Sequence, residues 1–204
     1  MRKQLAMLIA AAMVASTVLA AQQPPRRPAS PPGTAAAQIG SGATGKWIEV
    51  TYGRPLKRGR DLWGSGADYG RQLLLSGGKA PVWRAGANVS TRLKTEVPLQ
   101  IGGKTIPAGE YTLFIDTKSP ADWTLIVSTW AAQEKYDPNN KDALWGSFGY
   151  TPDKDVVRVP MTVAKMPMSM EQLTWAFVDM TDKGGKMAIM WDTVVASVPF
   201  TVSQ

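Results

Sequence analysis

Six consecutive residues, Trp83-Arg84-Ala85-Gly86-Ala87-Asn88, set an indole, a guanidinium and an amide around one glycine. Arg84 offers a planar fork that suits a carboxylate or a phosphate. Trp83 carries an amphipathic ring that fits either a sugar face or a core. Gly86 can take backbone shapes closed to other residues, and Asn88 can hydrogen-bond neighbouring backbone in a turn. Two readings follow. As architecture, the segment is a corner leading into a strand, with Arg84 paired to a carboxylate such as Asp155 or Asp61 beneath a packed Trp83. As chemistry, it is a pocket for a sugar or an anion. The corner is the first expectation, and a ligand role is carried beside it. Asn88-Val89-Ser90 also matches the short glycosylation sequon.

Other residues could do chemistry elsewhere in the chain. "GRPLKRGRDLWG" gathers Arg54, Lys57, Arg58 and Arg60 in one Gly-bounded loop, but without the Walker spacing or a following helix. It reads as a solvated basic loop. Seven of the ten methionines fall after residue 160, and "MPMSMEQL" places Met166, Met168 and Met170 at alternate positions. Thioethers suit Cu(I), although Met is also an ordinary gap-filler in cores. "DPNNKDALWG" holds Asp137, Asn139, Asn140 and Asp142 but lacks the EF-hand glycine and terminal Glu, so an Asn-rich turn is expected. Glu49, Glu110, Asp116, Asp155 and Asp192 are available as a glycosidase-style pair. Of the eight tryptophans, Trp123, Trp130, Trp175 and Trp191 sit in strand patterns, whereas Trp63, Trp83 and Trp145 lie near Gly-rich turns and suit sugar stacking.

The chain has no Cys and no His. That removes Ser-His and Cys-His nucleophilic pairs, the usual zinc sites and thiol redox chemistry. It also removes a lipobox. Arg2 and Lys3, then an apolar stretch from Leu5 to Leu19, then small residues at Val18, Ala20 and Ala21, read as a cleaved export signal over residues 1–21. The expected location is the periplasm or the exterior, with no transmembrane segment after cleavage. Net charge is +7, and +5 without Arg2 and Lys3. Outside the cytoplasm such a balance points to anionic envelope polymers more than to nucleic acid. No basic run carries aromatics at single-strand-binding spacing.

The elements that must hold these residues are strands. "KWIEVTYG" alternates Ile48, Val50 and Tyr52 against Trp47, Glu49 and Thr51. "NVSTRLKTEV", "GEYTLFID", "DWTLIVSTW", "DVVRVPMTV", "QLTWAFVDM", "GKMAIMWDT" and "VVASVPFTV" follow, separated by turn-forming clusters. This spacing predicts an all-β, antiparallel, jelly-roll-like β-sandwich of eight or nine strands over residues 45–204, with a small β-barrel as the alternative. Brief helical turns are expected at 131–136, 141–145 and 169–173. Pro160 and Pro199 mark strands that are edges or carry bulges. Residues 22–44, rich in Pro, Ala and Gly, read as a disordered tether.

"VTYGRPLKRGRDLWG", "VWRAGANVSTRL", "IGGKTIPAGEYTLFI", "DWTLIVS", "WGSFGYTPDKDVVRVPMTV" and "MAIMWDTVVASVPFTV" together resemble, in order, the bacterial domain-of-unknown-function family 2911. "WRAGAN" is the most specific piece. The resemblance spans Trp47 to Val202 and departs at "RQLLLSGGKA" (71–80), an additional stretch before "PVWRAGAN". It implies a secreted or periplasmic β-sandwich and gives no activity. Its matched polar positions are Tyr52, Arg54, Arg58, Arg84, Asn88, Asp155 and Arg158.

The resulting expectation is a noncatalytic binding module of the cell envelope, without a cofactor. Its ligand is a glycan or a small anionic group, met by Tyr52, Arg54, Arg58, Trp83, Arg84, Asn88, Trp145, Asp155 and Arg158. Three alternatives stand beside it: a carboxylate-dependent saccharide-active enzyme, a copper binder using Met166, Met168 and Met170, and a structural or protein-partner role.

Overall fold

The computed structural model describes residues 29–74 and 81–202. The expected export signal, the first part of the expected tether and residues 75–80 lie outside the described residues. Strands β1 (Pro32–Ile39), β2 (Lys46–Gly53), β3 (Thr91–Thr95), β6 (Gly109–Ser119), β7 (Asp122–Ser128) and β10 (Asp155–Pro160) form one antiparallel sheet in the order β1-β2-β3-β6-β7-β10. A second sheet runs β11-β12-β4-β5, from β4 (Leu99–Ile101), β5 (Lys104–Ile106), β11 (Thr162–Thr181) and β12 (Gly184–Val202). Both sheets are open, so the chain is an antiparallel sandwich and not a barrel. Two short strands, β8 (Ala131–Ala132) and β9 (Ala143–Leu144), pair in parallel inside the 129–151 excursion. No helix among the described residues is long and apolar enough to cross a membrane.

Period-two patterning builds the main core. Ile48, Val50 and Tyr52 of β2, Leu113 and Ile115 of β6, and Leu125 and Val127 of β7 point inward from the first sheet. They meet Leu173 and Trp175 of β11, Met187, Ile189 and Trp191 of β12, and Leu99 and Ile101 of β4. Trp63, Trp83, Trp123 and Trp191 pack as one group, with ring centroids 5.0–6.4 Å apart. A second, smaller core lies on the outer face of the first sheet. There Phe114 and Ile126 are covered by Val82, Trp130, Leu144 and Tyr150. The 129–151 excursion is therefore a third layer, and it buries β6 and β7 on both faces.

Three expectations change. The folded unit begins before Trp47, because Pro32–Ile39 of the expected tether is paired in full register with β2. Of its inward positions only Ile39 is large, and Gly33, Ala35 and Ala37 are too small to register as hydrophobic periodicity. The last three strand-like runs are not three separate strands. "QLTWAFVDM" continues β11, while "GKMAIMWDT" and "VVASVPFTV" are one strand, β12. Asp192, with φ 51°, bends β12 without ending it, and β11 carries register shifts at Lys165/Met170 and Met170/Thr174. The helical turns expected at 131–136, 141–145 and 169–173 are strand and loop; the short 3-10 turns fall at 42–44, 66–68, 71–73 and 152–154. Pro160 does end an edge strand, and Pro199 lies where β12 passes from β11 to β4.

The β12 bend is held by charge. Lys57 Nζ donates to Asp192 Oδ1 at 2.7 Å, and Ser169 Oγ donates to the same oxygen at 2.8 Å. The Lys57 hydrogen bond holds the Asp192 carboxyl below its ordinary value. The native state thus binds that proton less readily than the unfolded chain. The pair's stability is complete above the ordinary carboxylate pKa of about 4 and is lost as pH falls through the lowered value. Urea unfolding of wild type and Lys57→Met should differ by about 1 kcal/mol at pH 7 and converge toward pH 2. A constant difference across that range would contradict the assignment.

Candidate functional site

Register explains the Trp83–Asn88 corner. Trp83 and Ile115 exchange both backbone hydrogen bonds, N to O at 2.8 Å and 2.9 Å. Thr91 lies opposite Leu113 in the same ladder. Residues 84–90 therefore leave the sheet opposite Phe114 alone and form a seven-residue arch at the end of the sandwich. The left-handed backbone that this turn needs falls on Ala85 (φ 52°) and Asn88 (φ 62°), not on Gly86. Gly86 is required for room instead, since a Cβ there would lie 2.8 Å from Thr91 Oγ1. The arch is tied down on every side. Trp175 Nε1, from the opposite sheet, donates to the Ala85 carbonyl at 2.9 Å. Asn88 Nδ2 donates to the Ser30 carbonyl at 3.3 Å, and Ser90 shares its hydroxyl proton between the carbonyls of Gly146 (2.7 Å) and Leu144 (3.1 Å).

Arg84 does not behave as expected. It pairs with neither Asp155 nor Asp61. Its Nη1 donates to the Asn88 carbonyl at 2.8 Å, and among the described residues no carboxylate lies within ion-pair distance of it. Asp61 is engaged in accepting from the backbone N–H groups of Trp63 and Gly64, and Asp155 pairs with Arg158 at 2.8 Å. Burial alone lowers the Arg84 pKa. A guanidinium nevertheless remains charged at neutral pH, so Arg84 is a half-buried cation without a counter-ion.

Arg84 lines a cleft of about 130 Å³ with Pro55, Arg60, Gln72, Gly86 and Trp191. Arg60 lies over the Trp191 ring, 5.7 Å from its centroid, and brings a second cation to the mouth. Among the described residues, no acidic side chain lines this cleft. Gln72, held by the Asp61 carbonyl, and Trp191 were not among the site residues expected from sequence. The first lies in the stretch that departs from the family pattern, and the second reads simply as a core residue.

The remaining candidates are distributed around the molecule. Tyr52 is buried, its hydroxyl facing the Trp175 carbonyl at 3.5 Å. Arg54 lays its stem across Gly33 of β1, and its buried Nε has no hydrogen-bond partner. Arg58 is exposed at a left-handed turn, its N–H bonded to Glu171 Oε1 at 2.7 Å. Asp155 and Arg158 form a network of their own with Tyr150 and Asp116. Burial, and then the hydrogen bond to Asp155, raise the Tyr150 pKa far above its usual value. Trp63 and Trp83 are core residues, so neither is an exposed stacking platform. Trp145 is half-buried beside Tyr136 on the 129–151 excursion. Met166, Met168 and Met170 lie where β11 breaks register with β12, and Met168 is exposed. As expected, Asp137 and Asn140 make an Asn-rich turn, capping the N–H groups of Asn139, Asp142 and Ala143.

A family model described as "Protein of unknown function (DUF2911)" matches residues 30–200, and the chain belongs to that family. The match begins at the edge of β1, in agreement with the early start of the folded unit. No curated protein and no solved structure matches the chain.

The arch rests on Gly53, the last residue of β2. A Cβ on Gly53 would run into the backbone carbonyl of Ala87, which cannot rotate away. Gly53→Ala should therefore destabilise the protein by about 1–3 kcal/mol in urea. Ala36→Ser, on the exposed face of β1, should stay within about 0.5 kcal/mol of wild type. Equal effects would remove the arch from its place in the fold.

Proposed function

We propose that this member of the family is a noncatalytic binding module of the cell envelope whose ligand presents a small anionic group to the Arg84 cleft. One observation carries the reading: Arg84 is half-buried, desolvated and without a carboxylate. Burying a charge is costly unless it is paired. Among the described residues Lys57, Arg92 and Arg158 each have a carboxylate partner, whereas Arg54, Arg58, Arg60 and Arg84 have none, and of the half-buried Arg54 and Arg84 only Arg84 lines this cleft. An anion that enters the cleft supplies the missing counter-charge and meets Arg60 on the way in. The guanidinium fork suits carboxylate, sulfate or phosphate. At about 130 Å³ the cleft is well below the roughly 300–1,000 Å³ of a site that encloses a drug-sized ligand. It fits a charged group and not a whole sugar ring. With no acid among the described residues of its lining, the cleft holds no carboxylate for general acid–base work, which favours binding over catalysis. The formal charge of +5 that remains without Arg2 and Lys3 adds long-range attraction for anions.

Trp83 and Trp191 line the cleft, so tryptophan emission reports its occupancy. Titration with sulfate, phosphate and acetate should shift the emission and raise the melting temperature. Arg84→Gln and Arg60→Gln should each weaken binding about tenfold, or about 1.4 kcal/mol. Lys118→Gln, far along β6, should leave binding unchanged. Anion binding that survives both arginine substitutions, or no binding in the wild type, would remove this reading.

A further inference from the structure

The 129–151 excursion carries two large aromatic rings that the fold does not bury. Tyr136 is 52% exposed and Phe148 is 58% exposed. They flank one depression of about 250 Å³, together with the half-buried Trp145, whose ring centroid lies 6.2 Å from that of Tyr136 at 60°. Polar side chains of Asp137, Asn140 and Lys141 stand on its rim. The segment is also held rigidly. The buried Gln133 side chain donates to the carbonyls of Asp137 (3.2 Å), Asn140 (3.0 Å) and Ala143 (2.8 Å), and its Oε1 accepts from the Asp137 N–H at 2.8 Å. Trp130 and Tyr150 fasten the two ends of the segment into the second core, and Leu144 fastens it between them. The rings are thus displayed on a preorganised surface, which reduces the ordering entropy a ligand must overcome.

No residue lines both this depression and the Arg84 cleft, but the Leu144–Gly146 stretch connects them. Arg84 lines that cleft, and its Nη1 lies against Gly146, the residue after Trp145; a Cβ on Gly146 would sit 2.7 Å from it. Ser90, at the end of the arch, bonds the carbonyls on either side of Trp145. One surface is aromatic with a polar rim and has room for a ring. The next is cationic, with room only for a charged group. Aromatic faces take the C–H side of a pyranose while rim side chains take its hydroxyls.

We infer that the ligand is an acidic oligosaccharide, with one sugar ring seated among Tyr136, Trp145 and Phe148 and the acidic group of an adjoining sugar held at Arg84. The inference rests on the anion-binding reading of that cleft and adds the class of molecule that bears the anion. The charge can be a uronic carboxylate or a sulfate ester, since one guanidinium fork accepts both.

Calorimetry on the full chain separates the two claims. The probes are sodium sulfate, galacturonate, tetragalacturonate, a heparin-derived tetrasaccharide and neutral cellotetraose. At least one acidic tetrasaccharide should bind ten times more tightly than galacturonate and than cellotetraose. Gain with tetragalacturonate identifies carboxylate; gain with the heparin fragment alone identifies sulfate. Tyr136→Ala/Phe148→Ala, at two exposed positions, should abolish that gain and leave sulfate affinity unchanged. Sulfate binding with no tetrasaccharide gain overturns the acidic-glycan inference and leaves the anion site standing, as does a gain that survives the double substitution. Binding of every probe that is indifferent to Arg84→Gln, or binding of none, overturns both. If the double substitution instead disperses an oligomer in sedimentation and does not alter glycan binding, the rings form an interface between copies, and the inference falls.

Discussion

A single hydrogen bond across the sandwich sets the position of the corner. Ala85 adopts a left-handed backbone, which turns its carbonyl into the core, where Trp175 Nε1 meets it from the opposite sheet. The same carbonyl accepts from Thr91 Oγ1 at 3.2 Å, so one bond closes the arch on itself and the shorter one, from Trp175, ties the arch to the second sheet. With Trp83 fixed by its ladder pair and Ala85 by Trp175, the residue between them has only one way to face. Arg84 points away from the core because its two neighbours are committed to it. The corner is thus architecture first, and the exposure of one guanidinium follows from that architecture.

The third layer completes the surroundings of that guanidinium. Phe114 and Ile126 would present an apolar outer face on β6 and β7 if the 129–151 excursion did not cover them. The covering segment must return along the end of the sandwich, and Ser90 fixes its Leu144–Gly146 portion against the arch. Gly146 then lies under Arg84, where any side chain would crowd it. Two demands of folding, covering a sheet face and closing an arch, meet at one place. A cationic cleft and an aromatic depression become neighbours without either being needed for the core.

What the sequence conveys follows from the size and charge of its residues. "KWIEVTYG" and "GEYTLFID" are legible as strands because Ile, Val, Tyr and Leu mark one face against polar residues on the other. β1 is equally regular, but its inward face before Ile39 is Gly33, Ala35 and Ala37, and such alternation leaves no trace in hydrophobicity. The long β11–β12 hairpin is legible only in pieces, because a left-handed Asp192 looks like a turn residue and here bends a strand that continues. The corner was visible at "WRAGAN" because its residue types are unusual. The partner of Arg84 was not, since sequence gives the number of carboxylates and not which cation each one reaches. Gln72 and Trp191 come to the cleft from positions distant in the chain, and no local pattern records that meeting. Burial of Trp63 and Trp83 follows the same logic: glycines beside a tryptophan mark a turn, and the turn here folds the ring inward.

Two arginines of this chain resolve the same problem in opposite ways. Arg158 donates to Asp155 and to the Tyr150 hydroxyl, and Asp116 lies 3.6 Å away. Tyr150 in turn donates to Asp155 Oδ2 at 2.6 Å, the oxygen that Arg158 also reaches, while the buried Oδ1 has no partner among the described residues. Such a network fixes β10 against the end of the excursion, and a ligand would have to compete with bonds already made. Arg84 has one backbone carbonyl, an aromatic-lined cleft and a second cation nearby. Among the described residues folding pairs its charge with no carboxylate, so an entering anion breaks no ion pair. Where a fold supplies both an internally paired cation and an unpaired one, the unpaired one is where binding an anion gains the most.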